Sequence, residues 1–470
     1  MKNLNIPLPI AADSYKASQY LQYPQGIEFV NSYVESRGGR FPETVFFGLQ
    51  AFIKDKLLDP VTREDVDLSE EFIRDHGEPF NREGWDYIVD QYGGRLPIEI
   101  QAVAEGTVVD TKNVLAQVIN TDPRAYWLTS YLETALLRSI WYPTTVATLS
   151  RTAKKKIYEA LKVSSDDPDS EIGFKLHDFG GRGVSSQESA ALGGASHLVN
   201  FMGTDTMEAL PLIRQYYGER MAGFSIPASE HSTMTSWNGP EGELDAMRNM
   251  LRQFAKPGSL VACVSDSYDI YRATTEYWGT KLKQDIIDSG ATLVVRPDSG
   301  DPTEVPLKVI ELLMDRVGYE TNSKGYRVLP QSFRVIQGDG INIDNLQIIL
   351  DRMLERGLSV SNIAFGMGGG LLQQVNRDTQ KFAMKASAAR VNGEWRDVYK
   401  SPIDQPDKKS KTGRLALIES CGIGSCKYQT VLEDQLNGRK NLLQTVYRNG
   451  ELIVDQKFSD IRKRANNEYL

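Results

Sequence analysis

Between Gly173 and Gly370 the chain runs seven times through a short apolar, β-prone stretch and stops on polar or glycine-rich residues. The stops read KLHDFGGRG, VNFMGTDT, GFSIPASEHS, LVACVSDSYD, TLVVRPDSG, FRVIQGDG and NIAFGMGGG. They recur roughly every 30 residues, the length of one buried strand and its returning helix. That pattern predicts an irregular seven-stranded α/β barrel. In such a barrel the catalytic groups sit at the C-terminal ends of the strands. The expected protein is an enzyme whose site is assembled from almost every strand of one barrel.

Between the strands, helices are predicted over Ser185–Leu198, Thr206–Tyr217, Leu244–Phe254, Tyr268–Trp278, Glu304–Val317, Ile343–Arg356 and Leu371–Asp378. Outside this series the periodicity changes. Residues 43–56, 125–141 and Thr144–Val163 have helical apolar spacing, whereas 97–120 alternate and carry turns at Glu105-Gly106 and Lys112-Asn113. Beyond Gln380 strands return, with Asn392-Gly393 as a hairpin turn, and Phe458–Asn466 closes the chain as a helix. The expected organisation is a flanking α+β domain built from both chain ends, 1–145 and 381–470, around a barrel at 146–380.

A chain of 470 residues needs more than one core unit. Its net charge of −8 argues against a general nucleic-acid surface, so an anionic ligand must be met by local basic groups. The first residues, MKNLNIPLPIAADSYK, lack an apolar leader, and no apolar run approaches the ~20 residues that span a bilayer. Three cysteines, Cys263, Cys421 and Cys426, point to a reducing compartment rather than a disulfide framework. The expectation is a cytoplasmic protein with no membrane and no nucleic-acid partner. Cys421-x4-Cys426 has no third ligand nearby and is not read as a zinc site.

The strand ends hold the chemistry. The loops Gly338–Gly340 and Gly366–Gly370 each follow a strand and precede a helix. Backbone N–H groups there form an anion nest, or simply a tight turn; two in the last strands of a barrel favour phosphate. Asp205, Asp266, Asp269, Asp298 and Asp339 lie at or just past strand ends. Each reads alone as a helix cap, but together in one mouth they suit ribose hydroxyls or Mg2+. Arg182, Arg296 and Arg377 are candidate phosphate or carboxylate binders; the run Lys408, Lys409, Lys411, Arg414 reads first as a solvated loop. His231, beside Glu230, is either a functional or a structural imidazole, and His177 and His197 are read as structural. Phe179 and Tyr15 are ring residues suited to stacking on a flat heteroaromatic, or to core packing.

These motifs, in order, resemble one family. DSYK, ETVFFGLQ, PIEI, NTDP, YWLT, SIWYP, HDFGGRGVSSQE, HLVNFMGTDT, PASEHST, VSDSYDIY, RPDSG, VIQGDG and IAFGMGGGLLQ are similar to those of the nicotinamide phosphoribosyltransferases, from about Ala12 to about Arg464. The resemblance implies a type II phosphoribosyltransferase, a homodimer with sites shared between subunits. It implies transfer of phosphoribose from phosphoribosyl pyrophosphate to nicotinamide, with Mg2+ and with ATP as a coupled co-substrate. By resemblance Phe179 stacks on the pyridine and Tyr15 of a second subunit stacks on its other face. Arg182 and Asp205 position the carboxamide. Arg296, Asp298, Gly338 and Asp339 hold the ribose, and Gly368 and Gly369 the 5′-phosphate. Arg37, Arg377, Lys385 and Lys400 form a cationic shell. Asp13, Ser225 and Ser265 join the substrate-binding set. His231 is the phosphorylated histidine, assisted by Glu230 and Asp269.

Elementary chemistry agrees with this. Departure of pyrophosphate from C1 develops oxocarbenium character, so leaving-group stabilisation matters most. A carboxylate at 205 accepts from a carboxamide N–H and repels a nicotinate carboxylate. The same fold serving nicotinate, and a non-catalytic homologue, are the competing readings. Two departures from the family pattern stand out: Gly181 where Tyr is common, and a direct passage from Arg37 to Phe41 without a polar insertion.

Overall fold

The structure, a computed structural model, describes residues 6–404, 409–422 and 425–466. Its contacts divide the chain into two compact units. One comprises Met1–Thr148, Leu212–Glu219 and Asn376–Leu470, the other Leu149–Pro211 and Arg220–Val375.

The second unit is built on a six-stranded parallel sheet. The strand order is Gly203–Thr204, Leu176–Asp178, Ile363–Met367, Phe333–Gln337, Thr292–Arg296 and Leu260–Val264. The expected seventh strand is an extended segment rather than a regular one. Phe224 bridges Gly203 and Ala228 bridges Ala262, so this segment joins the two edges of the curled sheet. Pro227 within it has no N–H to donate, which limits its ladder to single bridges; its carbonyl still accepts from Ala262 N at 2.9 Å. A small apolar layer fills the interior, with Ala262, Val294 and Ile336 packed against Phe179, Ile226 and Ala364.

The returning helices start on side-chain caps. Ser186 accepts from Ser189 N, and Asn342 from the N–H groups of Asp344 and Asn345. The last predicted helix, Leu371–Asp378, shrinks to the single turn Gly369–Leu372 followed by the 3-10 turn Arg377–Thr379. Its leading glycines are poor helix formers, and the Asn376 side chain caps the new turn by accepting from Asp378 N and Thr379 N.

The first unit is built on a seven-stranded antiparallel sheet. Its order is Glu394–Asp397, Phe382–Val391, Ile27–Ser36, Val114–Asn120, Ile98–Ala102, Gln444–Arg448 and Glu451–Leu452. Both chain ends therefore contribute. Asn392 and Gly393, at φ 51° and 81°, make the expected hairpin turn. The helix expected over 43–56 begins instead as the strand Glu43–Val45, because Gly48 at φ 106° turns the chain before Leu49–Phe52. The two helices expected over 125–163 merge into Glu133–Ser164, which carries Pro143 inside it. Fully buried Trp85 meets Trp127 and Tyr131 edge-on in the core, and each such pair adds about 1 kcal/mol beyond its area. Among the described residues no helix is long and apolar enough to cross a membrane.

Candidate active site

Alternation along each strand decides which residues face the barrel interior. Ala262, Val294, Ile336 and Ala364 belong to the interior layer. Two or four residues further on, the same face presents Asp266, Arg296, Asp298, Gly338, Gly366 and Gly368. His177 and Phe179 share the corresponding face of their own strand end.

Phe179 forms the floor of the mouth. Its ring lies so near the neighbouring backbones that a Cβ would come within 2.1 Å of it at Gly366 and 2.7 Å at Gly338. Glycine at both positions is therefore a steric requirement of this ring. The Arg296 guanidinium lies 5.5 Å from the ring centroid and donates to Asp298 Oδ1 from Nη2 at 2.7 Å and from Nε at 3.1 Å. Asp178, fully buried, accepts from Gly180 N at 2.7 Å and shapes the loop that follows Phe179. Burial pushes its carboxyl above the usual range, and the Gly180 amide opposes that.

Asp205 is held by three neighbours. Its N–H donates to Asp178 O, while Oδ1 accepts from His177 Nε2 at 3.0 Å and from Ser225 Oγ at 2.5 Å. Burial alone raises this carboxyl, but the His177 and Ser225 hydrogen bonds and the Arg296 charge outweigh it, so its pKa lies below the usual range. Arg182 is exposed and makes no hydrogen bond or ion pair with a described residue. Beside it, a Cβ on Gly181 would meet Thr206 Oγ1 at 3.1 Å.

His231 donates from Nε2 to Asp266 Oδ1 at 3.0 Å, and its Nδ1 lies 3.9 Å from Asp298 Oδ2. The Asp266 side chain is only 3 % exposed and is fixed on its other oxygen by Ser299 Oγ. The structure places the expected assistants of His231 elsewhere. Glu230 caps the helix His231–Thr235, accepting from Ser232 Oγ and donating from its N–H to Thr233 Oγ1. Asp269 likewise caps, accepting from Tyr271 N and Arg272 N. Ser265, expected in the substrate-binding set, lies on the outward face. It is fully buried, accepts from Trp278 Nε1 at 2.9 Å and donates to Cys263 O.

The glycine loops line the same mouth. The Asp339 carbonyl accepts from Gln337 Nε2, which steadies the Gly338–Gly340 turn, and the Asp339 carboxylate is exposed. Gly183 and Gly369 approach closely enough that a Cβ on the former meets Gly369 N at 3.4 Å. Space around Gly369 itself is open.

Tyr15, Asp13, Arg37, Arg377, Lys385 and Lys400 belong to the other unit. Tyr15 is 54 % exposed, and Asp13 accepts from Thr134 Oγ1. Arg377 is exposed beside Asp378. Glu133 faces two lysines there: Lys16 Nζ at 2.5 Å and Lys385 Nζ at 3.9 Å. Burial lowers the Lys385 pKa. Glu133 opposes that shift, and Arg37, Lys400 and Lys16 add to it by repulsion. Arg37 Nε is buried without a hydrogen-bond partner. In the basic loop, Lys411 pairs with Glu35 and Arg414 with Glu433; Lys408 lies outside the described residues.

Two mouth residues escaped the sequence reading. Asp266 counted there only as one strand-end acid among several, and His177 only as a structural histidine. Counting in twos from Ala262 separates Asp266 from Ser265 and from the capping Asp269, and that signal is present in the sequence. As a whole the mouth offers an aromatic floor, an oriented carboxylate, a fixed imidazole and open backbone amides. Such a set suits a flat heterocycle joined to a phosphorylated sugar.

Residues 174–451 match the Nicotinate phosphoribosyltransferase (NAPRTase) family, and residues 7–100 match the Nicotinamide phosphoribosyltransferase, N-terminal domain. The Nicotinamide phosphoribosyltransferase of Xanthomonas campestris pv. campestris (strain 8004) is 54 % identical over 98 % of this chain and 98 % of its own. That of Acinetobacter baylyi (strain ATCC 33305 / BD413 / ADP1) is 32 % identical over 97 % of this chain and 96 % of its own. The fold matches the crystal structure of human Nicotinic Acid Phosphoribosyltransferase, with TM-score 0.61, 16 % identity, and coverage of 97 % of this chain and 93 % of the human one.

Proposed function

Because the chain belongs to the nicotinate phosphoribosyltransferase (NAPRTase) family, and to the nicotinamide phosphoribosyltransferases within it, we propose a division of labour among its residues in nicotinamide phosphoribosyl transfer. The reaction joins the pyridine nitrogen to C1 of phosphoribosyl pyrophosphate. The C1–N bond forms as the C1–O bond breaks, and pyrophosphate leaves with the electron pair. Nicotinamide mononucleotide is the product, for NAD salvage. The pyridine lone pair is already free, so no general base is needed, and charge stabilisation dominates the barrier.

In this reading Phe179 carries the pyridine ring and Asp205 accepts the carboxamide N–H, with Arg182 beside it. Arg296, held by Asp298 and lying beside the ring, meets the negative charge that develops on the departing pyrophosphate. The backbone of Gly338, Gly368 and Gly369 receives sugar and phosphate. Tyr15 of a second subunit covers the ring, so the working form is a homodimer, and Arg37, Arg377, Lys385 and Lys400 supply the cationic shell. Mg2+ belongs with the substrate phosphates, whose charge it neutralises when bound. A cytoplasmic location, consistent with the cysteine usage, is part of the same proposal.

ATP coupling is assigned to His231. Its Nε2–H donates to Asp266, so the neutral ring keeps a bare lone pair on Nδ1. Attack by Nδ1 on the γ-phosphorus breaks the P–O bond to ADP and leaves a phosphohistidine. The single observation that carries the substrate assignment is Asp205: an ionised, doubly bonded carboxylate at the ring site favours a carboxamide over a carboxylate. The experiment is a product assay with nicotinamide and nicotinate side by side, with and without ATP, on the wild type and on His231→Ala. Nicotinamide is expected to be preferred, and His231→Ala to turn over without ATP stimulation. Preference for nicotinate sinks the substrate reading, and full ATP stimulation in His231→Ala sinks the phosphohistidine.

A further inference from the structure

His177 is a side chain of the mouth that the proposed mechanism leaves without a role. It sits on the strand Leu176–Asp178, opposite Gly203 in the parallel register. A Cβ on Gly203 would come within 2.5 Å of His177 Nδ1, so only glycine there lets the imidazole lie across the neighbouring strand and reach Asp205. The ring is packed on its other side by Phe179, with centroids 5.3 Å apart. Its side chain is 14 % exposed against 48 % for Asp205.

The hydrogen bonds fix more than position. An ionised carboxylate only accepts, so His177 donates its Nε2–H and Nδ1 is the unprotonated nitrogen of the neutral ring. Both side-chain donors to Asp205, His177 and Ser225, end on the same oxygen, Oδ1. Oδ2 receives no hydrogen bond from a described residue. The exposed carboxylate therefore presents one saturated oxygen and one open one.

We propose that His177 is a specificity-determining positioning residue. Together with Ser225 it saturates Oδ1 of Asp205, so that Oδ2 stands as the acceptor for a substrate amide N–H, and it holds the carboxylate in the orientation that rejects an anionic ring substituent. This rests on the reading in which Asp205 meets the carboxamide. Without the His177 donor, the carboxylate can turn about its Cβ–Cγ bond and divide its acceptors between solvent and Ser225. The amide then loses a fixed partner, and a carboxylate-bearing ring meets a less rigid repulsion. The effect falls on binding of the ring rather than on departure of pyrophosphate, so it acts on KM more than on kcat.

The test compares His177→Leu, His177→Gln and His177→Asn, with Asp205→Asn as reference, by steady-state kinetics on nicotinamide and nicotinate. The Leu variant is expected to lower kcat/KM for nicotinamide about 10- to 100-fold, the range for losing one hydrogen bond to a charged group. The loss should appear in KM, with nicotinate turnover unchanged or raised. Gln carries an N–H to the position of Nε2 and should restore the nicotinamide-to-nicotinate ratio. Asn reaches only the position of Nδ1 and should behave as Leu does, which keeps the test sharp if the Leu variant does not fold. Equal losses on both substrates, or no rescue by Gln, overturn the role of His177. If Asp205→Asn shifts the ratio while the His177 variants do not, the inference alone falls; if Asp205→Asn leaves it unchanged, the Asp205 reading falls with it.

Discussion

Two charged regions of this molecule are built on opposite principles. In the mouth of the parallel sheet Asp205, Asp266 and Asp298 each have a protein donor: His177 with Ser225, His231 with Ser299, and Arg296. In the antiparallel unit Lys16 and Lys385 face the Glu133 carboxylate, and burial with repulsion from Arg37, Lys400 and Lys16 lowers the Lys385 pKa. The first arrangement fixes the direction of a few polar groups within the protein itself. The second is left with an excess of positive charge, which an anion relieves. In the proposed reaction, preorganisation serves orientation in one region and electrostatic demand serves affinity in the other.

The largest test of this contrast removes a completed pair. Arg296→Ala leaves Asp298 without its partner and uncovers the Phe179 ring. We expect kcat/KM for nicotinamide phosphoribosyl transfer to fall about 10³-fold, the scale of losing one preorganised charge stabiliser. Arg296→Lys should recover only part of that, because an ammonium cannot present the Nε and Nη2 fork to Asp298. A loss smaller than about 10-fold by steady-state kinetics would mean that Arg296 braces the fold of the mouth and little else.

A middle-sized effect is expected in the incomplete region. Lys385→Met should raise KM for phosphoribosyl pyrophosphate about 10- to 100-fold and leave KM for nicotinamide unchanged. Thermal unfolding should show equal or greater stability, since a half-buried ammonium repelled by neighbouring cations gives way to an apolar side chain of similar length. The pH dependence has a definite sign. Burial and like charges lower the Lys385 pKa, so its charge is present at low pH and lost as pH rises through that depressed value. Phosphoribosyl pyrophosphate affinity should therefore weaken before the ordinary lysine range near ~10.4, and that alkaline limb should vanish in Lys385→Met. A destabilised variant with normal KM would reverse the assignment and make Lys385 a structural cation.

How far the sequence speaks for itself differs in the same two regions. The parallel strands were legible because each apolar run ends on glycine or acid at a βα spacing. The seventh lost its regular ladder to Pro227, and the last helix lost its length to a glycine run and the Asn376 cap; both signals are local and readable. Individual carboxylates were harder. Asp266 and Asp269 stand three residues apart in VSDSYD, and only the period-2 count from Ala262 puts the first in the mouth and the second on the helix it caps. The cationic cluster was legible only through family resemblance. Lys16, Lys385 and Glu133 come from distant parts of the chain, and Lys385 shares its strand with Met384 and Ala386, so no local pattern marks its surroundings.

The smallest expected effect separates functional frustration from merely structural frustration. Glu105, in the same antiparallel unit, is also a strained buried charge. It is 1 % exposed, and its Oε1 accepts from Gln50 N at 2.6 Å. Burial raises its pKa, and the Gln50 amide, the Tyr217 hydroxyl, the Gly48 amide and the Arg464 charge oppose that only in part. A carboxyl raised in the folded state is harmless at acid pH, where it is protonated folded and unfolded alike. Its penalty grows as pH rises through the unfolded value and is complete above the folded one. Glu105→Gln keeps the acceptor for Gln50 and removes the charge. Stability should therefore rise by about 1–3 kcal/mol at neutral pH, the scale of desolvating a buried polar group, and by little near pH ~4, as read from denaturant midpoints at the two pH values. Unlike Lys385→Met, this variant should leave both substrate KM values unchanged. A rise in KM for phosphoribosyl pyrophosphate on Glu105→Gln would break the distinction, because the cationic cluster would then depend on a buried carboxylate outside its own set of partners.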